Sequence, residues 1–202
     1  MLLNTQQTRG AAMLVLMAAT VATLCDKVHV MTHTLVYPPP TIDGQAWWVF
    51  PCFFMAFSIM VVGYLIFARH LPEKIEREYS RTGGDLSGLV ESFLLFVMVY
   101  LLSGFASNHP LFLNALFYGT FMIRLSVAKD RLFMAVIGLV LAVGGAFAEG
   151  VFAMMGLMDY SRPDFFYVPA WLPGLYLHGA FALREGVRNL IFCKSDRRAP
   201  LR

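Results

Sequence analysis

Apolar residues in this chain come in six long runs separated by polar connections. Within each run the polar positions are too few to give a helix a water-facing side. About 20 apolar residues carry an α-helix across the roughly 30 Å hydrocarbon layer of a bilayer. The pattern therefore predicts crossings near 11–31, 47–68, 87–107, 111–128, 132–158 and 166–192. The first is read from the run Ala11 to Cys25, which is short for a span, so it is extended past Asp26 and Lys27 with those two at headgroup level. A signal peptide is the competing reading of that run, but no small-residue cleavage site precedes the second crossing. The fold class is an all-α membrane protein of six transmembrane helices, with residues 1–202 forming one integral membrane domain.

Composition agrees, with 58% hydrophobic residues and a mean hydropathy of +0.62, against about 45–50% apolar residues in soluble domains. Charge then orients the bundle. Of the 16 lysines and arginines, Arg9, four in the connection 69–81, three around the fourth–fifth junction and six at the C-terminal end fall on one side. Only Lys27 and Arg162 fall on the other. Positive residues resist translocation, so both termini are placed in the cytoplasm. The net charge of +3 is thus a matter of topology and does not point to nucleic acid. Aromatics mark the opposite side: Trp47, Trp48, Phe165, Phe166, Tyr167 and Trp171 read first as interface anchors.

The connections are short. Pro72 to Tyr79 predicts a small amphipathic helix lying flat on the membrane, because Glu73 with Arg77 and Lys74 with Glu78 are i,i+4 pairs while Ile75 and Tyr79 share a face. Ser107-Asn108-His109-Pro110 leaves room only for a tight antiparallel hairpin. His29 to Gln45 contains Pro38-Pro39-Pro40 and reads as an extended lid over the outer mouth. No internal repeat of the kind found in inverted-repeat transporters is evident. Cys25, Cys52 and Cys193 make no metal spacing; buried inert thiols are the default, and a Cys25–Cys52 bridge stays open. His29 and His33 would share a helical face, a weak metal signal without an acidic or cysteine ligand.

Ionisable residues inside a membrane are costly and are functional candidates by default. Glu149 is the strongest, set in Gly144-Gly145-Ala146-Phe147-Ala148-Glu149-Gly150. His178, near the middle of the sixth crossing, is its natural partner to test. Asn114 and Tyr118, one turn apart, offer a further polar stripe. The competing reading is that these groups satisfy one another and hold the helices together. Gly138, Ala142, Ala146 and Gly150 lie along one face, for close packing or as a ligand wall, and Gly145 with Trp171 would shape a cavity beside them. Glu91 and Arg124 sit near the cytoplasmic end and suit a structural pair or snorkelling. There is no phosphate-cradling glycine loop, nucleophile elbow or HExxH. Neither a catalytic centre nor a cofactor or metal is therefore expected.

Three stretches carry a resemblance. Tyr160-Ser-Arg-Pro-Asp-Phe-Phe-Tyr-Val-Pro-Ala-Trp-Leu-Pro-Gly, then Gly179 and Arg188-Asn-Leu, resembles the Tyr-Thr-Ser-Pro-Asp-Phe-Leu-Tyr, Trp-Leu-Pro, Gly and Arg-Gln-Leu series of the Insig (insulin-induced gene) family. Trp47-Trp48-Val49-Phe50-Pro51-Cys52 and Lys74-Ile-Glu-Arg-Glu-Tyr79 are similar to that family's Trp-Trp-Val-Pro-Pro-Cys and Lys-Phe-Lys-Arg-Glu-Trp, and Asp130-Arg131 answers its Asp-Arg if one gap is allowed. The resemblance spans residues 47–190 and implies six helices, cytoplasmic termini and non-catalytic work. In eukaryotes it implies oxysterol binding in the endoplasmic reticulum and contact with the sterol-sensing domains of Scap and HMG-CoA reductase. The family's Asp after the third crossing falls near Gly104, where no carboxylate stands. Glu149 and His178 stand where the family has uncharged small residues.

The expectation is a minimal, plausibly microbial homologue: an intramembrane regulatory protein binding a sterol or a neutral lipid such as a diglyceride through Asn114, Tyr118, Gly145, Glu149, Trp171 and His178. Self-association is expected, with a sterol-sensing-domain partner if the source has one. The membrane would be the endoplasmic reticulum in a eukaryote or the inner membrane in a bacterium. The alternatives are a lipid-modifying, isomerase-like enzyme using Glu149 and His178, or a small transporter.

Overall fold

The computed structural model describes residues 3–68, 70 and 83–192. The predicted surface helix at 72–79, with the Lys74 to Tyr79 motif, Cys193 and the basic tail from Lys194 lie outside the described residues. Six helices make up the bundle: α1 (Thr5–Met31), α2 (Val49–Phe67), α3 (Leu86–Phe105), α4 (Pro110–Val127), α5 (Arg131–Met154) and α6 (Leu172–Gly186). A π-helical turn, Val187–Ile191, prolongs α6. The first five are long and apolar enough to cross a membrane, and the chain is an integral membrane protein.

Two helix starts differ from the hydropathy reading. α1 begins at Thr5 rather than at residue 11, because Asn4 and Gln7 form a reciprocal capping box. The Gln7 amide donates to Asn4 Oδ1 (2.8 Å) and the Asn4 amide to Gln7 Oε1 (3.2 Å), so two orphan donors of the first turn are satisfied. α6 begins at Leu172 rather than at 166. Phe166 (φ 43°) and Tyr167 (φ 62°) hold left-handed backbone, and the Ala170 amide donates to the Asp164 carboxylate at 2.8 Å. Pro173 then occupies the first turn, where its missing N–H leaves nothing unpaired.

The last helix is the axis of the fold. α5, α3 and α4 pack along it and α1 crosses its C-terminal end, while α2 leans mainly on α1. Leu175, Ala180, Phe181 and Val187 are sealed from solvent on different sides of α6. The crossing with α1 is close because Gly186 has no Cβ; one built there would lie 2.5 Å from Leu14.

The outer connections are ordered by short strands. β1 (Leu35–Val36) pairs antiparallel with β4 (Asp159–Tyr160). β2 (Thr41–Ile42) and β3 (Gln45–Ala46) form a hairpin whose turn residues Asp43 (φ 52°) and Gly44 (φ 81°) are both left-handed, as a two-residue primed turn requires. Lys27 pins this hairpin through a 2.6 Å ion pair with Asp43. His33 lies beyond the end of α1 with φ 55°, so it shares no helical face with His29. The His29 Nε2 instead meets Ser103 Oγ at 2.8 Å. Trp171, read first as an interface anchor, is buried, whereas Trp47 is exposed.

At the opposite end, Arg184 and Arg188 are buried rather than solvated. Arg184 Nη1 meets Asp130 Oδ1 at 2.6 Å, and Arg184 Nε and Arg188 Nη1 both reach Glu185 Oε1, at 3.0 and 2.9 Å. Four charges cancel within one network, which joins the start of α5 to the end of α6. Arg124 does pair with Glu91, but loosely at 3.9 Å. Its firmer contacts are a 2.8 Å bond to Ser92 Oγ and the face of Phe181, 4.1 Å from the ring centroid. Removing one partner of a buried pair strands the other charge. Asp130→Ala is therefore expected to cost about 3–5 kcal/mol and Glu91→Ala under about 1 kcal/mol, as read by thermal unfolding in detergent.

Candidate functional site

A cavity of about 780 Å³ runs between α1, α2, α3, α5 and α6. Its walls are apolar along most of their length, from Met60 and Leu183 near the charged end to Phe96 and Ala148 further out. α2 and α5 flank it, meeting at one end through Tyr64 and Phe67 against Phe133 and at the other through Trp48, just before α2, against Phe152. Gly63 and Gly144 line it at places where a Cβ would meet open space.

Polar groups gather at the outer end. The Tyr160 and Tyr176 hydroxyls donate to Oε2 and Oε1 of Glu149, which is part-buried at the cavity wall. Across the cavity, Asp26 accepts from the Tyr37 hydroxyl at both oxygens (3.0 and 3.1 Å) and from Gln45 Nε2 (2.7 Å). Gln45 Nε2 also donates to the Thr23 carbonyl at 3.0 Å, so the hairpin is stitched back onto α1. Burial, reinforced by the neighbouring carboxyls, pushes the Tyr37 and Tyr160 phenols far above their usual value. Both are therefore firm donors. Hydrogen bonds to charged acceptors are the strong ones, about 1.5–3 kcal/mol each.

Gly145 explains how Tyr176 gets there. It lies one turn before Glu149 on the same face of α5, and a Cβ built on it would sit 2.5 Å from the Tyr176 ring. The missing side chain is the space the ring occupies on its way to the carboxylate. Elsewhere on this helix Gly138 faces Phe121 and Leu177, while Ala142 and Ala146 are buried in the core. Those positions serve packing.

The six residues anticipated from sequence separate into two groups. Gly145 and Glu149 line the cavity; Asn114, Tyr118, Trp171 and His178 lie outside its wall. His178 is fully buried on the α4 side, its Nε2 3.0 Å from the Phe117 carbonyl, with Phe117 and Phe121 edge-on to the ring. Glu149 and His178 thus do not partner one another, and the acid/base pair of the enzyme reading is not assembled. Tyr118 donates to the Ala170 carbonyl at 3.0 Å. Asn114 is part-buried with an unpartnered Oδ1. Trp171 packs against His29 and Tyr160. Cys25 and Cys52 are both free thiols.

Asp26, Tyr37, Gln45, Tyr100, Tyr160 and Tyr176 were not anticipated. The one signal for part of this set was the Asp43-Gly44 turn between Ile42 and Gln45, which folds residue 45 back against α1. The tyrosines reach the site from different elements with no spacing rule.

No protein-family model matches the chain. Among curated proteins it is 27% identical over 179 residues to "Insulin-induced gene 2 protein" of Gallus gallus, covering 84% of this chain and 75% of that one. It is 26% identical over 164 residues to "Insulin-induced gene 1 protein" of Xenopus tropicalis, covering 78% and 61%. Among solved structures, a mycobacterial Insig homologue from Mycobacterium vanbaalenii superposes with a TM-score of 0.77 at 23% identity, over all of both chains. The chain is similar to the Insig proteins in sequence and in fold. It spans three quarters of the chicken relative and about three fifths of the frog one. A cross-linked trimer of the mycobacterial protein gives a TM-score of 0.75 at 24% identity, again over both whole chains. The Insig fold thus accounts for the helical frame, and the two carboxyls at the cavity's outer end are read from this chain alone.

The fit of Tyr176 over Gly145 predicts a coupled pair. Gly145→Ala is expected to destabilise by about 1–3 kcal/mol, and most of that cost should vanish in the background of Tyr176→Ala. A double-mutant cycle read by melting in detergent checks it; two additive effects would remove the contact from the account.

Proposed function

We propose that this Insig-like protein is a non-catalytic, intramembrane lipid-binding regulatory protein whose cavity takes a lipid with one compact polar head, in the class of a sterol or a diglyceride. The observation that carries the reading is the cavity itself: about 780 Å³ of largely apolar space with both its carboxyls and three of its four lining tyrosines, all but Tyr64, at one end, within the range of ligand pockets generally. Glu149 and Gly145 contact the guest. Trp171, His178, Tyr118 and Asn114 brace the wall from behind. The regulatory output implied by the Insig likeness is contact with a second membrane protein, of the sterol-sensing-domain kind where the source organism has one. The cross-linked trimer of the mycobacterial relative supports self-association here too.

The membrane arrangement belongs to the same proposal. α6 with its π-helical turn covers Leu172–Ile191, about 30 Å at 1.5 Å per residue, enough for a sixth crossing shielded from lipid by its neighbours. Six crossings put both termini on one side, and the excess of lysine and arginine makes that side the cytoplasm.

Two measurements test this. Native mass spectrometry of the purified protein should show co-purifying lipid at stoichiometric level, together with saturable uptake of diglyceride or sterol. Gly144→Phe, which extends a ring into open cavity, should weaken that uptake about tenfold or more while leaving the melting temperature in place. Protein without stoichiometric lipid or saturable uptake removes the reading. For orientation, a cysteine replacing exposed Arg162 should react with an impermeant maleimide from outside intact cells, and one replacing Arg131 only after permeabilisation.

A further inference from the structure

Among the described residues, the wall of the cavity carries two carboxyls, Asp26 and Glu149, and no lysine, arginine or histidine. A phosphate or carboxylate head would enter it without a countercharge, which a low-dielectric interior strongly disfavours. The two carboxyls differ in how far the protein has already used them. Asp26 is only 4% exposed and accepts from Tyr37 at both oxygens and from Gln45. Glu149 is part-buried and accepts one hydroxyl on each oxygen, Tyr160 on Oε2 and Tyr176 on Oε1. A carboxylate offers about four lone-pair sites, so about two stay open on Glu149. Both phenols are turned to the carboxyl, so as an anion this cluster has acceptors to spare and no donor to give.

We infer that the guest of this cavity is a lipid alcohol, and that Glu149 selects its free hydroxyl over the same lipid capped by acylation, alkylation or phosphorylation. The inference rests on the lipid-binding reading above and narrows it to one functional group. A hydroxyl both donates and accepts, so it suits Glu149 in either state of protonation. To the carboxylate it donates. When the carboxyl holds a proton, Glu149, Tyr160 and Tyr176 share three protons between two mutual bonds, and one O–H is left to donate outward; the guest hydroxyl accepts it and still donates to an open lone pair. An ester or ether oxygen only accepts, so the anion gives it no bond and the acid gives it one. A phosphate brings charge that nothing lining the cavity balances. The site therefore reads the free alcohol, and reactions that acylate or phosphorylate that hydroxyl withdraw the ligand.

Competition against a diglyceride with a fluorescent acyl chain tests the inference on the full-length protein in an uncharged detergent. One series shares two oleoyl chains and differs only at the last glycerol oxygen: diolein, its methyl ether, its acetate and its phosphate. A second pair, cholesterol and its methyl ether, asks the same of a sterol, and whichever alcohol displaces the probe at the lower concentration names the source of the hydroxyl. The free alcohol should displace the probe at a concentration about tenfold or more below that of its capped forms. Glu149→Gln should reduce that preference to about threefold or less, because an amide donates to a capped oxygen as readily as it accepts from a free hydroxyl; a preference that survives the substitution overturns the role of Glu149. The wild-type protein gives a second readout that does not depend on the variant folding. Its infrared difference spectrum should show a carboxyl band shifted by diolein and unmoved by the methyl ether, and identical spectra for the two overturn the contact. Equal potency of diolein and its methyl ether, with displacement intact, overturns the hydroxyl selection and leaves the lipid-binding reading standing. Absence of saturable probe binding overturns both.

Discussion

A bilayer offers no water to a stranded polar group, and the position of α6 makes that constraint severe. This helix is enclosed on every side, yet its sequence carries His178, Arg184, Glu185 and Arg188, all buried. Each must find its partner inside the protein. Arg184, Glu185 and Arg188 do so near the charged end with Asp130, and His178 does so at the Phe117 carbonyl. Asp130 precedes the first residue of α5, and Phe117 lies on α4. Satisfying α6 therefore fixes the neighbours around it, and a helix too polar to face lipid becomes the post on which the others lean.

The cavity follows from a second property of the same solvent. In water, apolar walls are driven together; in a bilayer the tails are as apolar as the walls, and little pushes a gap closed. A hollow of about 780 Å³ can therefore stand among these helices without the drive to collapse that water exerts on a soluble core.

How much could be read from the chain beforehand divides along physical lines. Helix existence was legible because lipid-facing stretches have to be continuously apolar. The start of α1 at a capping box was also written in Asn4 and Gln7, although hydropathy alone passes over it. Glu149 stood out because an isolated carboxyl in an apolar run has no cheap explanation. Its partners did not, since Tyr160 and Tyr176 arrive from a loop strand and from another helix. His178 showed the same isolation and turned to the opposite side of α6, because residue type announces the need for a partner without giving its direction. Arg184 and Arg188 hid for the converse reason: basic residues near a cytoplasmic end already satisfy the orientation rule, so the buried network behind them left no remainder to explain.

Selectivity in such a site has to come from the head of the guest. An alkyl chain or a ring system gains little by leaving the bilayer for an apolar groove, because dispersion contacts are exchanged for similar ones. A hydrogen bond to a charged group in the low-dielectric interior contributes about 1.5–3 kcal/mol, and one such bond separates two heads by roughly ten- to a hundred-fold. Asp26 and Glu149 already hold two donors apiece from the protein, Tyr37 with Gln45 and Tyr160 with Tyr176. Those donors fix where the carboxyls point before any guest arrives, so little ordering is left for the binding step itself. A carboxylate has about four lone-pair sites. What remains after the protein's own donors is acceptor capacity, and acceptor capacity discriminates between lipids by the number of donors they bring.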